Sequence, residues 1–146
     1  MADEAYRAVF LRVHPTGKMV LSLTTAADGR EGDYAAIVAE ELGVPPLDVK
    51  VVPADENRFG AGHGFNTSPS PGTAGAVATT AGRIRDKARL LAGAAMEAEE
   101  PQWADGVFRA DGESRTIADL ALYAHGTGQL PPGVEGGLDA QTVYRD

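Results

Sequence analysis

Two glycine-bearing turns that open onto helices are the segments of this chain best suited to binding chemistry. The first covers residues 28–34, Asp-Gly-Arg-Glu-Gly-Asp-Tyr, and the second covers residues 60–70, Gly-Ala-Gly-His-Gly-Phe-Asn-Thr-Ser-Pro-Ser. The first turn of a helix has backbone N–H groups without intrahelical partners, and these groups favour an anionic ligand. The two turns therefore predict an anion-binding function.

The second turn adds three hydroxyl groups to its glycines. Thr67, Ser68 and Ser70 lie within four positions, and their hydroxyls would suit hydrogen bonds to a phosphate or to a heteroaromatic edge. The glycine spacing at residues 60–64 is not the dinucleotide-binding pattern, because no strand leads directly into it. A surface turn capped by its own side chains explains the same residues equally well.

The first turn is open to two interpretations as well. Gly29 would allow a close approach of the backbone, and Arg30 would pair with a phosphate. Asp28, Glu31 and Asp33 would oppose the same anion. Carboxylates at a helix start also stabilise the helix dipole without any ligand, and composition alone favours this second interpretation.

Charge and composition exclude several function classes. The net charge of −8 disfavours binding to nucleic acid or to anionic lipid. The chain has no cysteine, which excludes disulfides, thiolate metal sites and a cysteine nucleophile. We find neither a signal segment nor an apolar run of membrane-spanning length, so the predicted location is cytoplasmic. Four cations in a predicted helix form either a solvated face or a local anion site: Arg83, Arg85, Lys87 and Arg89.

The three histidines predict neither a metal site nor a catalytic group. His14, His63 and His125 are far apart, and no partner at ligand spacing joins them. Only His63 lies in the second glycine turn, where a proton-transfer role would need an orienting partner that the sequence does not show. No Ser-His-Asp order, phosphate-binding loop or pair of catalytic carboxylates is present at useful specificity.

The pattern of hydrophobic residues predicts the elements that position these turns. Strands and helices alternate as in an α/β (α+β) domain, with an N-terminal β-hairpin, a small mixed sheet and two main helices. Because Phe10 and Val20 face away from the other apolar strand residues, the sheet is expected to be covered on both sides. The predicted elements are a hairpin of 7–13 and 18–24, a helix over 32–42, a strand over 48–52, a helix over 73–96, a strand or hairpin over 103–110, a capped helix over 114–125, and a strand or docking arm over 138–144.

Four segments together resemble one protein family. They are similar to the molybdenum-cofactor-binding subunit of the xanthine dehydrogenase and carbon monoxide dehydrogenase family. The segments are residues 9–18, residues 29–43, the stretch from Asp55 onward and residues 133–140. The resemblance is to the first half of that subunit's second cofactor-binding domain. It implies that residues 1–146 form a single partial molybdopterin-binding domain, completed by a partner chain, with residues 126–146 as an extended C-terminal arm.

The resemblance assigns cofactor contacts to both glycine turns. The family's Gly-Gln-Gly-His-Glu-Thr turn falls on residues 27–32, where Gly29 and Glu31 match. Its second cofactor loop, Gly-Thr-Tyr-Gly-Ser-Arg-Ser, falls on residues 64–70, where Gly64, Ser68 and Ser70 match and Pro69 replaces the arginine. The predicted cofactor-binding residues are Gly29, Arg30, Thr67, Ser68 and Ser70; no catalytic residue and no metal ligand is predicted.

The implied function is that of a small subunit in a molybdenum hydroxylase, inactive alone. The complex would oxidise a heteroaromatic ring, an aldehyde or a similar carbon centre with water as the oxygen source. Molybdopterin, in its dinucleotide form and with molybdenum, would be shared with partner chains. Those partners would be the remaining molybdopterin-binding chain, a flavin subunit with FAD and an iron–sulfur subunit with 2Fe-2S clusters.

Two other functions remain open. A degenerate structural or assembly subunit would keep the fold and bind no cofactor, and this hypothesis is favoured by Asp28 and Pro69, which replace family residues. An independent small-molecule-binding domain is a third hypothesis, but it leaves the resemblance to half a domain unexplained.

Overall fold

Strands and helices alternate along the chain, which the computed structural model describes for residues 6–53, 70–126, 130–131 and 133–145. The elements in chain order are β1 (Arg7–Val13), β2 (Met19–Leu23), α1 (Glu31–Leu42), a 3₁₀ turn (Pro46–Asp48), β3 (Val49–Val52), α2 (Thr73–Met96), β4 (Gln102–Ala104), β5 (Val107–Ala110), β6 (Glu113–Thr116), α3 (Ile117–His125) and β7 (Leu138–Tyr144). The strands form a four-stranded sheet in the order β3-β2-β1-β7 and a three-stranded sheet in the order β4-β5-β6.

The predicted N-terminal hairpin is confirmed. β1 and β2 pair antiparallel with Leu11 opposite Leu21, and the turn between them includes Gly17 at a φ of +90°. β7 continues the sheet antiparallel to β1, whereas β3 runs parallel to β2. Alternate residues such as Val9 and Leu11 are wholly buried, so one face of this mixed sheet forms the core.

Helices α1, α2 and α3 pack on that buried face of the sheet. α1 ends at Gly43, whose φ of 66° is the left-handed conformation typical of a helix end. The predicted helix over 73–96 is confirmed as α2, and one of its faces belongs to the core, since Val77, Ala81 and Ile84 are fully buried. Among the described elements, none packs on the opposite face of the sheet, so the expected second cover is not found there.

The three-stranded sheet includes one strand that was predicted as helix. Residues 114–116 belong to β6 instead of the helix start, because Asp111 and Gly112 reverse the chain with φ values of 50° and 82° and return it beside β5. The helix begins one residue after Thr116, whose side chain accepts from the Asp119 N–H while the Asp119 carboxylate accepts from the Thr116 N–H. This reciprocal capping box stabilises the start of α3.

The C-terminal strand is held to α2 by side-chain hydroxyls. The Thr73 and Tyr144 oxygens lie 2.7 Å apart, and those of the buried Thr80 and Thr142 lie 2.6 Å apart. Arg83 adds a hydrogen bond of 2.6 Å to the Gln141 carbonyl. The strand predicted over 138–144 is therefore confirmed as part of the central sheet.

Three of the four cations of α2 contact neighbouring elements. Arg83 contacts β7 as described above, and Arg85 pairs with the Glu41 carboxylate at 3.1 Å. The Arg89 guanidinium lies 6.0 Å from the centre of the Phe108 ring, a distance at which a cation and an aromatic face attract each other. These contacts favour a structural role over a local anion site. None of the helices in the described ranges is long and apolar enough to cross a membrane.

Candidate functional site

A pocket of about 260 Å³ lies where the turn before α1 meets the residues before α2. It brings together the first glycine turn and the last residue of the second one. The lining residues are Ala27, Asp28, Arg30, Tyr34, Ser70 and Pro71. Of the five predicted cofactor contacts, Arg30 and Ser70 therefore line one pocket, Gly29 lies in the turn beside it, and Thr67 and Ser68 lie outside the described residues.

Two consecutive left-handed residues shape the first turn. Asp28 has a φ of 54° and Gly29 a φ of 80°, and the Arg30 N–H closes the turn with a 3.0 Å hydrogen bond to the Ala27 carbonyl. A Cβ at Gly29 would meet no described atom within 4 Å. Glycine is therefore favoured at this position by backbone conformation and not by lack of space.

Both helices that border the pocket lack a side-chain cap. The residue before α1, Arg30, has φ −99° and ψ 13°, and the residue before α2, Gly72, has φ −79° and ψ −10°. Side-chain caps need an extended residue at this position, as at Thr116 before α3, with φ −84° and ψ 170°. Among the described residues, the first-turn N–H groups of α1 and α2 thus have no side-chain acceptor of the kind that α3 has.

Ser70 forms the turn before α2. The residue is 8% exposed, and its Oγ accepts a 3.0 Å hydrogen bond from the Gly72 N–H. Its carbonyl accepts from the Thr73 N–H at 3.3 Å. The self-capping interpretation is therefore supported for Ser70, although its position in the pocket lining also places it beside any ligand bound there.

The charges at the pocket oppose each other. Arg30 is exposed and is the one cation among the lining residues that the structure describes, whereas the exposed Asp28 lines the same pocket. Glu31 and Asp33 lie in the first turn of α1, where they are favourable to the helix dipole and unfavourable to a bound anion. Arg30 and the two helix N-termini would stabilise a bound anion, and the carboxylates would destabilise it.

The pocket includes residues that the sequence did not point to. Ala27, Tyr34 and Pro71 line it. Tyr34 is 4% exposed and also belongs to the hydrophobic core. A large side chain in the first turns of a helix that follows a glycine turn was the available signal for a pocket wall.

The structure describes the positions of two of the three histidines. His14 lies in the hairpin turn, and His125 is the last residue of α3. His63 lies outside the described residues. Within the described part of the chain, no group of three His, Cys, Asp or Glu side chains is placed to hold a metal ion.

Comparison with known proteins identifies the domain that this pocket belongs to. The family model described as molybdopterin cofactor-binding domain matches residues 2–146. The chain belongs to the molybdopterin cofactor-binding domain family. The resemblance to the xanthine dehydrogenase and carbon monoxide dehydrogenase family is therefore confirmed.

Individual relatives, two of them solved structures, support the same assignment. The carbon monoxide dehydrogenase large chain of Afipia carboxidovorans is 33% identical over 142 residues, covering 92% of this chain and 17% of the relative. Reconstituted CO dehydrogenase from Oligotropha carboxidovorans superposes with a TM-score of 0.81 at 28% identity, over 97% of this chain and 18% of that one. For quinoline 2-oxidoreductase from Pseudomonas putida 86, the TM-score is 0.77 at 25% identity, over 97% and 19%.

These coverages define which part of the relatives this domain represents. The chain spans less than a fifth of the length of each of these proteins. The predicted α/β class is confirmed by these superpositions. The domain thus corresponds to one portion of longer proteins that are named as a carbon monoxide dehydrogenase and a quinoline 2-oxidoreductase.

Proposed function

We propose that this domain binds the phosphate-bearing part of molybdopterin in the pocket between the starts of α1 and α2. The observation that supports it most is that two helix N-termini meet at one pocket that also contains Arg30, and that no described side chain caps either of them. Helix N-termini and arginine favour phosphate through backbone N–H groups, the helix dipole and paired hydrogen bonds. The dinucleotide form of the cofactor suits this arrangement because it contains a pyrophosphate.

The proposed contacts divide into two groups. Gly29 would let the phosphate approach the backbone of the first turn, and Arg30 would supply the charge. Thr67, Ser68 and Ser70 would contribute hydroxyls from the second turn, with Ser70 also holding the turn that presents the start of α2. These donors are of the types that bind phosphate groups, so they suit the cofactor, although Asp28 weakens the attraction for an anion.

The complete function belongs to a larger assembly. In this proposal the chain is a small subunit of a molybdenum hydroxylase and supplies part of the cofactor site without an acid or base of its own. The cofactor provides the redox chemistry when bound. The remaining molybdopterin-binding chain, a flavin subunit and an iron–sulfur subunit are the proposed partners, because the chain represents only 17% of the related large chain.

A specific observation supports a second candidate function. Asp28 places a carboxylate in the pocket lining, and a carboxylate beside a phosphate is unfavourable unless a cation screens it. A structural or assembly subunit that keeps the fold and binds no cofactor would tolerate this residue. The two candidates differ in one measurable quantity. If the pocket binds the cofactor, a change in the pocket lowers the molybdopterin content of the native complex; if the chain is structural, that content stays the same.

The decisive variant reverses the charge of the pocket arginine. Arg30→Glu should lower the molybdopterin content of the purified complex. Each unit of charge changed at an exposed site weakens the binding free energy of an anion by about 1 kcal/mol, and this substitution changes the charge by two units. Arg109→Glu is the matched control, because Arg109 is exposed on β5 and outside the pocket lining. Equal molybdopterin in both complexes would support the structural candidate.

A further inference from the structure

Tyr34 is a buried tyrosine whose hydroxyl has no hydrogen-bond partner among the described residues. The residue is 4% exposed, and no hydrogen bond of its side chain is found within the described ranges. The half-buried Tyr144 differs, because its hydroxyl oxygen lies 2.7 Å from that of Thr73. Buried tyrosine hydroxyls usually find a partner, since removing a polar group from water without one is costly. The Tyr34 hydroxyl is therefore a donor that remains available to a ligand.

The Tyr34 hydroxyl opens into the pocket between α1 and α2. Within the described part of the chain, every fully buried side-chain oxygen or nitrogen has a hydrogen-bond partner. A hydroxyl without a partner must therefore lie in the small part of Tyr34 that stays accessible. Tyr34 borders the pocket of about 260 Å³, which it lines together with Arg30 and Ser70. The accessible hydroxyl thus faces the same space as the other candidate contacts.

The position of Tyr34 in α1 explains why its side chain reaches this pocket. α1 begins at Glu31, and the Tyr34 N–H donates to the Arg30 carbonyl at 3.0 Å, which closes the first turn of the helix. Long side chains in a helix point back toward its N-terminus and cover the preceding turn. The Tyr34 ring thus extends toward the helix start, where backbone N–H groups favour an anion. The hydroxyl and the helix start are directed at the same ligand position.

We propose that the Tyr34 hydroxyl donates a hydrogen bond to the phosphate group bound in this pocket, a statement that rests on the proposed function. A phosphate supplies charged acceptor oxygens, and a hydroxyl that donates to a charged oxygen forms a short, strong hydrogen bond. Arg30 is exposed whereas Tyr34 is buried, so a bound phosphate meets the positive charge near solvent and the hydroxyl deeper in the pocket. Tyr34 is thus a positioning residue that orients the phosphate and adds no charge to the site.

Tyr34→Phe tests this role, because it removes the hydroxyl and keeps the aromatic ring. The full chain is titrated with inorganic pyrophosphate and followed by the amide NMR signals of Gly29 and Arg30. The affinity of Tyr34→Phe should be lower by about tenfold, the typical effect of losing a hydrogen bond to a charged group. Tyr123→Phe is the matched control, since Tyr123 lies on α3 and outside the pocket lining. Unchanged affinity in Tyr34→Phe, or an equal loss in Tyr123→Phe, would overturn the proposal.

Two further readouts separate a ligand contact from a structural role of the hydroxyl. Without pyrophosphate, the melting temperature of Tyr34→Phe should not fall, because no described partner loses a hydrogen bond. The loss of affinity should persist at high ionic strength, since salt screens the charge of Arg30 and not a neutral donor. A lower melting temperature of the free variant together with unchanged affinity would assign the hydroxyl to the core and overturn the proposal. A loss of affinity that disappears at high salt would also overturn it.

The same titration of Arg30→Glu distinguishes a failure of this proposal from a failure of the proposed function. Weaker binding of pyrophosphate to Arg30→Glu and unchanged binding to Tyr34→Phe would mean that the pocket binds phosphate and that only the role of Tyr34 is wrong. Weaker binding to both variants, with Tyr123→Phe unchanged, would support both proposals. A wild-type chain that does not bind pyrophosphate would overturn both.

Discussion

Replacing Asp28 by asparagine should tighten the binding of a pyrophosphate group at the pocket between α1 and α2. Asp28 is exposed and lines the pocket beside Arg30. Two unit charges at about 4 Å in water interact by about 1 kcal/mol, and exposed pairs typically stay within that value. Removing the carboxylate should therefore strengthen binding by about 1 kcal/mol, which corresponds to about fivefold in affinity.

The chain provides a closely matched control for this substitution. Asp111 precedes Gly112 with φ values of 50° and 82°, nearly the same as the 54° and 80° of Asp28 and Gly29. Asp111 is also exposed and lies outside the pocket lining. Asp111→Asn thus removes one negative charge and places asparagine in the same left-handed conformation as Asp28→Asn does. The two variants therefore differ only in whether the changed residue lines the pocket.

Titration with inorganic pyrophosphate, followed by the amide NMR signals of Gly29 and Arg30, measures this effect directly. The fivefold gain should appear at low ionic strength and shrink at high salt, because exposed charges are screened over about 10 Å at 0.1 M salt. Unchanged affinity in Asp28→Asn, or an equal gain in Asp111→Asn, would refute the assignment of the pocket as a phosphate site.

Three further substitutions test the framework that positions the pocket. Gly43→Ala should lower the free energy of unfolding by more than about 2 kcal/mol, since its Cβ would lie 2.4 Å from the Gly106 Cα; an unchanged melting temperature would contradict this contact. Thr116→Ala should cost about 1 kcal/mol by removing the α3 cap, with Thr116→Ser restoring it in chemical denaturation. Thr80→Val should lower the free energy of unfolding by about 1–2 kcal/mol because it removes the buried partner of the Thr142 hydroxyl. The double variant Thr80→Val, Thr142→Val should be more stable than Thr80→Val alone, and equal or lower stability would refute this explanation.

Much of the fold could be predicted from periodicity alone. The hairpin and α2 follow directly from alternation and from helical spacing, and the structure places α2 at Thr73–Met96, as predicted. β6 was missed because Ser114 and Arg115 are polar residues next to a genuine cap at Thr116. The strand exists because the turn at Asp111 and Gly112 places it beside β5, a tertiary pairing that local propensity does not encode.

The candidate site was predictable in its residue types but not in its geometry. The first glycine turn predicts Gly29 and Arg30 as candidates, and the hydroxyls of the second turn together with the family resemblance predict Ser70. The meeting of the two turns depends on α1 packing against α2, which brings Arg30 and Ser70 to one pocket although they are 40 positions apart in the sequence. That no described side chain caps α1 follows from the backbone angles of Arg30, which composition does not reveal.

The measurement that tests the central claim most directly is the molybdopterin and molybdenum content of the native complex that contains this chain. Released pterin and metal are quantified per copy of the chain, and the partner chains are identified by mass spectrometry. The account predicts stoichiometric molybdopterin with molybdenum, together with a large-chain partner, and a clear loss in Arg30→Glu. A stable monomer without molybdopterin and without a large-chain partner would contradict it.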